Sequence, residues 1–185
     1  MIDETLTEAE ASMESAVEAT SEDFATVRTG RANPSLYSKV LVDYYGSPTP
    51  LQQLASFSTP DARTILITPY DASAMREIEK ALSDSEVGAN PSNDGKQIRI
   101  VMPEMTEERR KEYAKLVKSK GEDHKVSVRN ARRKAKDAIA KAVKNGEIGE
   151  DEGERGHSEL ETLTKTHTER IDEMTRRKEA ELLEV

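Results

Sequence analysis

Residues 106–145, TEERRKEYAKLVKSKGEDHKVSVRNARRKAKDAIAKAVKN, contain no proline and one internal glycine, Gly121. At about 1.5 Å per residue, this stretch predicts a single helix roughly 60 Å long. Thr106 is placed to cap its N-terminus, with Glu107 and Glu108 in the first turn, where the helix dipole favours negative charge. Lys144-Asn145-Gly146 predicts a basic last turn closed by glycine. Tyr113, Val117, His124, Val128, Ala131, Ala135, Ala138 and Ala142 recur at spacings of three and four. That periodicity predicts a buried stripe, mostly of small side chains, which lets partner helices approach closely.

At ~100° per residue, Lys111, Lys118, Lys125, Arg129, Arg132 and Lys136 fall on one narrow line, roughly 90° from the apolar stripe. Arg133 flanks the line, and Glu122 is the one acid interrupting it. One face of the helix is thus suited to its own bundle and another to something anionic.

The surrounding chain sharpens that contrast. Charged residues make up 35% of the 185 residues, above the usual share of about a quarter. Two Phe, five Tyr and no Trp suit long solvated helices better than a thick core. The absence of cysteine excludes a disulfide scaffold, a thiolate metal site and thiol redox chemistry. The N-terminus is acidic and no apolar run approaches the ~20 residues needed to cross a bilayer, so a cytosolic protein is expected. Net charge is −8, unevenly distributed. Residues 105–146 carry 14 Lys/Arg against 6 Asp/Glu, whereas residues 2–29 carry 1 against 8 and residues 147–185 carry 6 against 13. An acidic protein with one strongly basic helix can hold a polyanion locally and repel it elsewhere.

N-terminal to the quoted stretch, a first helix is expected over 5–29. Thr5 with Glu8, or Thr7 with Glu10, would form its capping box, and Gly30 would stop it. Leu6, Ala9, Met13, Val17, Thr20, Phe24 and Val27 form its apolar stripe. Residues 31–104 hold all seven prolines and five of the seven aromatics. Strands are expected at 39–43, 53–57, 63–68 and 97–101, with a helix over 73–83 capped by Asp71 or Ser73 and anchored by Ile78 and Leu82. C-terminal to Gly146, a third long helix is expected over 150–183, with Leu160, Leu163, His167, Ile171, Met174, Lys178 and Leu182 inward. The fold class is therefore α+β: an antiparallel three-helix bundle (1–30 plus 105–185) with a small β/α/β domain (31–104) inserted. Gly30, Arg31, Pro103, Glu104 and Met105 form two short linkers and a natural hinge.

Few residues suggest catalysis. Gly88 through Gly95-Lys96 has six residues between its glycines rather than four, and Gln97 stands where a phosphate loop needs Ser or Thr. It reads as a hairpin-like turn. His124, His157 and His167 form no i,i+4 pair, and two lie on inner stripes, so they read as core or seam histidines rather than metal ligands. Glu150, Asp151, Glu152 and Glu154 lack the ligand order of a calcium loop and suit a helix N-terminus. No nucleophile is matched to a base, so neither an enzyme nor a cofactor is expected. The basic line has two readings on composition alone. It is either a solvated face paired with the acidic helices, each exposed pair worth roughly 0–1 kcal/mol, or a contact for RNA or DNA phosphates.

The chain resembles the bacterial ribosome recycling factor family nearly end to end. The similarity rests on Arg28-Thr29-Gly30-Arg31-Ala32-Asn33-Pro34, Tyr44-Tyr45-Gly46 with Pro50-Leu51, Ile78-Glu79-Lys80-Ala81 and Gly88-Ala89-Asn90-Pro91. It continues in Thr106-Glu107-Glu108-Arg109-Arg110-Lys111, Lys125-Val126-Ser127-Val128-Arg129-Asn130-Ala131-Arg132-Arg133, Ile148, Glu150-Asp151-Glu152 and Ile171-Asp172-Glu173. The resemblance implies an L-shaped monomer of roughly tRNA dimensions that acts after termination, splitting ribosomal subunits with elongation factor G and GTP. It implies large-subunit rRNA contacts at Arg132 foremost, then Arg129, Arg133 and Arg28, with Arg31, Lys118, Lys125 and Lys136 alongside. The GTP chemistry would belong to elongation factor G, whose contact falls on the small domain. Three positions depart from the family pattern. Ala131 replaces a bulkier aliphatic, suggesting closer helix contact; Glu104 replaces a second proline, suggesting a looser hinge; and Gly149 replaces a serine cap.

Overall fold

The computed structural model describes residues 1–85 and 90–184. The chain divides into two compact units, one of Met1–Phe24 with Lys111–Val185 and one of Ala25–Arg110.

Three long helices build the first unit: α1 (Ile2–Ala25), α3 (Glu107–Lys144, its first turn in the other unit) and α4 (Glu150–Leu183). Thr106 Oγ1 accepts the Arg109 N–H at 3.2 Å, the expected cap. The last turn of α3 closes with Glu147 N–H on Ala142 O and Gly146 N–H on Val143 O, both 3.0 Å, with Gly146 at φ +73°. This is a Schellman end, which needs the left-handed backbone that glycine adopts most easily. Helix α4 starts at Gly149 without a side-chain cap and keeps three acids, Glu150, Asp151 and Glu152, in its first turn.

Helix α1 departs from its expected bounds of 5–29. It begins at Ile2 and ends at Ala25. Thr5 and Thr7 are already inside it, their hydroxyls donating back to Met1 O and Asp3 O, so neither forms a capping box. Gly30 takes φ +80° beyond the helix end rather than at it.

The helices alternate in direction. Thr175 of α4 faces Gly121 of α3, and Gly153 faces Val143, so α3 and α4 run antiparallel. Asp23 of α1 meets Lys120 and His124 of α3, while Ile2 lies against Gly156 of α4, making α1 antiparallel to α3 and parallel to α4. The core joins Leu6, Met13 and Val17 to Val128, Ala135, Leu160 and Ile171. Small residues dominate the seams. A Cβ at Gly121 would lie 2.5 Å from Thr175 Oγ1, which explains the one glycine inside α3. Ala138, expected in the buried stripe, is exposed, and Ile139 is buried instead. Ala131 packs against the bundle core and, with Thr5, Glu8, Ala9, Ser12 and Lys134, lines a groove between α1 and α3.

The second unit contains six strands: β1 (Leu41–Tyr44), β2 (Ser47–Pro50), β3 (Ala55–Asp61), β4 (Thr64–Pro69), β5 (Ser92–Asn93) and β6 (Ile98–Val101). Strands β1 and β2 form a separate antiparallel hairpin, and the others an antiparallel sheet ordered β3-β4-β6-β5. Strand β2 was not among the strands expected from composition, although the resemblance places a hairpin at Tyr44-Tyr45-Gly46 with Pro50-Leu51; Pro48 and Pro50 are tolerated in this two-stranded ribbon. Asp71 caps a 3-10 turn at Ala72–Ala74 that leads into α2 (Met75–Ser83), so α2 starts two residues later than expected. Tyr37, Val42, Leu51, Ile65, Ile67, Ile78, Leu82, Ile98 and Ile100 are almost wholly buried. Each such aliphatic side chain contributes about 1.5–3 kcal/mol relative to exposure. Asn93 and Ile98 pair across a turn containing Gly95 at φ +91°, the hairpin-like turn expected there. Gly88, the other glycine of that rejected phosphate loop, lies outside the described residues.

Candidate nucleic-acid interface

The two edges of α3 touch acidic helices, and the cations there are already neutralised. On the α4 side, Lys125 Nζ lies 2.8 Å from Asp172 Oδ1 and 2.7 Å from Glu122 Oε1. The Asp172 hydrogen bond, then that of Glu122, raises its pKa above the ordinary lysine value. Lys125 is thus already ion-paired within the bundle, unlike other members of the expected line. Arg132 is intermediate. Its Nη1 meets Glu161 at 3.3 Å, a long pair, while its Nε is buried without a hydrogen-bond partner. The guanidinium is thus positioned by the bundle but only weakly satisfied.

On the α1 side, Lys120 Nζ lies 2.6 Å and His124 Nε2 2.9 Å from the two oxygens of Asp23. Burial pushes the Asp23 carboxyl up, but the hydrogen bonds from Lys120 and His124 outweigh it and hold the pKa below its ordinary value. A matching cluster joins Glu14 to Arg170 at 2.5 Å and to His167 at 3.3 Å. Two of the three histidines thus tie α1 to the rest of the bundle, and no group of side chains suited to a metal ion occurs among the described residues.

Between these edges lies the outward strip of α3. Lys118, Arg129 and Lys136 are exposed, and among the described residues none forms an ion pair. Arg133 is also exposed and bonds only to the neutral Oδ1 of Asn130 at 2.9 Å. Arg129, Arg133 and Lys136 lie within seven positions, about two turns. Lys115 is exposed on the same side, about 60° round from Lys118, and was overlooked because only the narrowest line was traced. Lys111 and Arg31 are exposed but have interactions of their own.

Arg28 belongs to the second unit and is half-buried. One terminal guanidinium nitrogen is buried without a hydrogen-bond partner, and its charge acts on the buried phenol of Tyr37. Burial raises the Tyr37 pKa and Arg28 opposes the rise. Arg28 is thus turned at least partly into the small unit. Gly30, Arg31, Pro103, Glu104 and Met105 all lie in irregular segments, residues 26–33 and 102–106. Glu104 does not simply loosen its segment: it pairs with Arg63 at 2.9 Å, and Arg63 Nε also donates to Met102 O.

Geometry and charge define an α+β protein whose longest helix carries, among the described residues, a concentrated strip of basic side chains without ion pairs. The comparisons with known proteins make the class specific. The profile of the ribosome recycling factor family matches residues 20–183, and the chain belongs to that family. The ribosome-recycling factor of Micrococcus luteus is 75% identical over 185 residues, all of both chains, and that of Streptomyces coelicolor is 57% identical over the same span. A solution structure of a ribosome recycling factor superposes with a TM-score of 0.83 at 37% identity, covering 100% of this chain and 98% of that one. A second structure covers 99% of each chain at 38% identity, with a TM-score of 0.71. It represents the Thermus thermophilus factor with Escherichia coli elongation factor G on the Escherichia coli post-termination complex. The family is one of non-enzymatic translation factors. No helix among the described residues is long and apolar enough to cross a membrane.

Proposed function

We propose that this protein binds the post-termination ribosome in the cytoplasm and, with elongation factor G and GTP, splits the subunits so that tRNA and mRNA are released. Family membership sets the process. The observation that carries the binding mode is the set Lys118, Arg129, Arg133 and Lys136, exposed and without acidic partners beside cations that the bundle has already neutralised. Phosphates are the fitting counter-charge, because a polyanion gains entropy from counterion release wherever lysine or arginine meets it. Arg132 adds a guanidinium held in place at the edge of this strip, suited to bidentate contact or stacking on a base. We therefore assign large-subunit rRNA contacts to Arg129, Arg132, Arg133, Lys118 and Lys136. Lys125 serves the bundle, and Arg28 and Arg31 are secondary.

The irregular segments 26–33 and 102–106 are the proposed elbow, and α3 is the element that carries displacement to the ribosome. The nucleotide belongs to elongation factor G; the chain acts as a monomer and needs no cofactor. The test is subunit splitting of post-termination ribosomes with elongation factor G and GTP, in the presence and absence of the protein. Splitting that does not depend on the protein refutes the reading. Splitting and ribosome affinity that survive Arg129→Ala with Arg133→Ala refute the docking strip.

A further inference from the structure

Arg133 stands between two polar neighbours on the surface of α3. Asn130 lies one turn before it and Asp137 one turn after it, at the i−3 and i+4 positions whose side chains can meet its own. All three residues are exposed. A carboxylate is the stronger partner for a guanidinium, because a hydrogen bond between two charged groups is stronger than one to a neutral acceptor. Arg133 nevertheless turns back. Its Nη2 donates to Asn130 Oδ1 at 2.9 Å, and neither Arg133 nor Asp137 forms an ion pair among the described residues.

The other cations on this side of α3 show the alternative. Lys125 is held by Asp172 and Glu122, and Arg132 by Glu161. A carboxylate cancels the charge that a phosphate would meet. An amide oxygen accepts the same hydrogen bond and leaves the positive charge in place. Only one N–H of the Arg133 guanidinium is used, so the rest of the fork stays open to a ligand. Holding the side chain in one rotamer also lowers the conformational entropy lost when it engages that ligand. Asn130 makes no other side-chain hydrogen bond among the described residues, and asparagine is a poor helix former in a helix interior. Its amide serves Arg133 alone.

We propose that Asn130 is a positioning residue for Arg133: its amide holds the guanidinium away from Asp137 and so keeps the charge available to an rRNA phosphate. The inference rests on the rRNA-binding reading given above and adds to it a residue that carries no charge. Asp137 becomes the competitor, one turn away on the same helix.

The test is a set of double-mutant cycles read by ribosome affinity, its salt dependence and the urea midpoint. In Asn130→Ala the arginine is free to swing to Asp137. Ribosome binding should weaken about two- to threefold, and the slope of log affinity against log salt should fall by about 0.5. The urea midpoint of that variant should equal or exceed that of the wild type, since alanine is the better helix former. Asp137→Asn should raise affinity about twofold more in the Asn130→Ala background than in the wild type. With Arg133→Ala already in place, Asn130→Ala should change affinity by less than about 1.3-fold. Unchanged affinity for Asn130→Ala overturns the proposal. So does a lowered urea midpoint, which would make the asparagine structural. An equal effect of Asp137→Asn in both backgrounds removes the competitor and overturns it too. An equal loss from Asn130→Ala with and without Arg133 would make the amide itself an RNA contact, again overturning the assignment. Wild-type affinity for Arg133→Ala alone would instead refute the place of Arg133 in the docking strip, and the positioning role with it. Failure of the wild type to bind ribosomes would refute the proposed function itself.

Discussion

Lys125 Nζ and Asp172 Oδ1 are 2.8 Å apart, joining α3 to α4 through a lysine whose side chain is only 14% exposed. Arg129, one turn further along α3, is exposed and forms no such pair. Two residues of the same expected line therefore stand in different charge environments. Lys125→Met should lower folding stability by about 1 kcal/mol and leave ribosome affinity within about twofold. Arg129→Ala with Arg133→Ala should do the reverse, reducing the slope of log affinity against log salt by about 1.5. Urea denaturation and salt titrations of ribosome binding check both halves. A large affinity loss for Lys125→Met would return that residue to the interface.

Arg132 gives a gain-of-affinity prediction. Its contact with Glu161, at 3.3 Å and partly exposed on both sides, must be given up or shared when the guanidinium engages RNA. An exposed pair of this kind is worth about 0.5 kcal/mol. Glu161→Gln should therefore tighten ribosome binding by about two- to threefold. Equal or weaker binding would show that the carboxylate helps position Arg132 rather than competing for it.

The helix seams predict opposite outcomes for two neighbouring glycines. A Cβ at Gly153 would sit 2.5 Å from Val143 Cγ2, on a β-branched side chain with little rotamer freedom. At Gly156 the nearest atoms, on Ile139 and Ile2, are 3.3 Å away. Alanine gains about 1 kcal/mol of helix propensity at either site, but overpacking costs about 1–3 kcal/mol. Gly153→Ala should destabilise the protein by about 1–2 kcal/mol, and Gly156→Ala should lie within about 0.5 kcal/mol of neutral. Chemical denaturation of both variants tests the order.

Acid stability should report the clasps on α1. The folded-state pKa of Asp23 lies below its unfolded value of 3.8, once the hydrogen bonds from Lys120 and His124 have overcome burial. That of Glu14 is lowered from 4.5 by Arg170 and then His167. A depressed carboxyl pKa contributes stability that is present above the unfolded value and lost as pH falls through the folded one. The urea midpoint should thus decline below about pH 4. Asp23→Asn should lower the midpoint at pH 7 and flatten part of the acid decline. An acid limb of unchanged steepness in that variant would remove Asp23 from the account.

Much of this architecture was legible from spacing. Thr106, Gly146 and the three-four pattern bounded α3 closely, because caps and periodicity are local properties. The ends of α1 were misjudged for the same reason. Thr5 and Glu8 look like a box, yet the chain already turns at Ile2, where that residue is buried against Gly156. Within the candidate site, sequence located the basic helix but did not separate Lys125 from Arg129. That separation depends on Asp172, 47 positions away along the chain and brought close only by the α3–α4 turn. The left-handed φ of Tyr45 carried no signal in composition or periodicity, because it follows from the two-residue loop that pairs Tyr44 with Ser47.

The meetings of Gly121 with Thr175, Gly153 with Val143 and Gly156 with Ile139 fix more than separation. Sliding α4 one turn, about 5.4 Å, along α3 would move these side chains off the bare glycine backbone and against residues that have Cβ atoms of their own. The two longest helices therefore cannot slip past each other in small steps, as longer-branched seams can. A one-turn slip of the pair would therefore have to rebuild three contacts at once, which ties the register of α4 on α3 to three glycines.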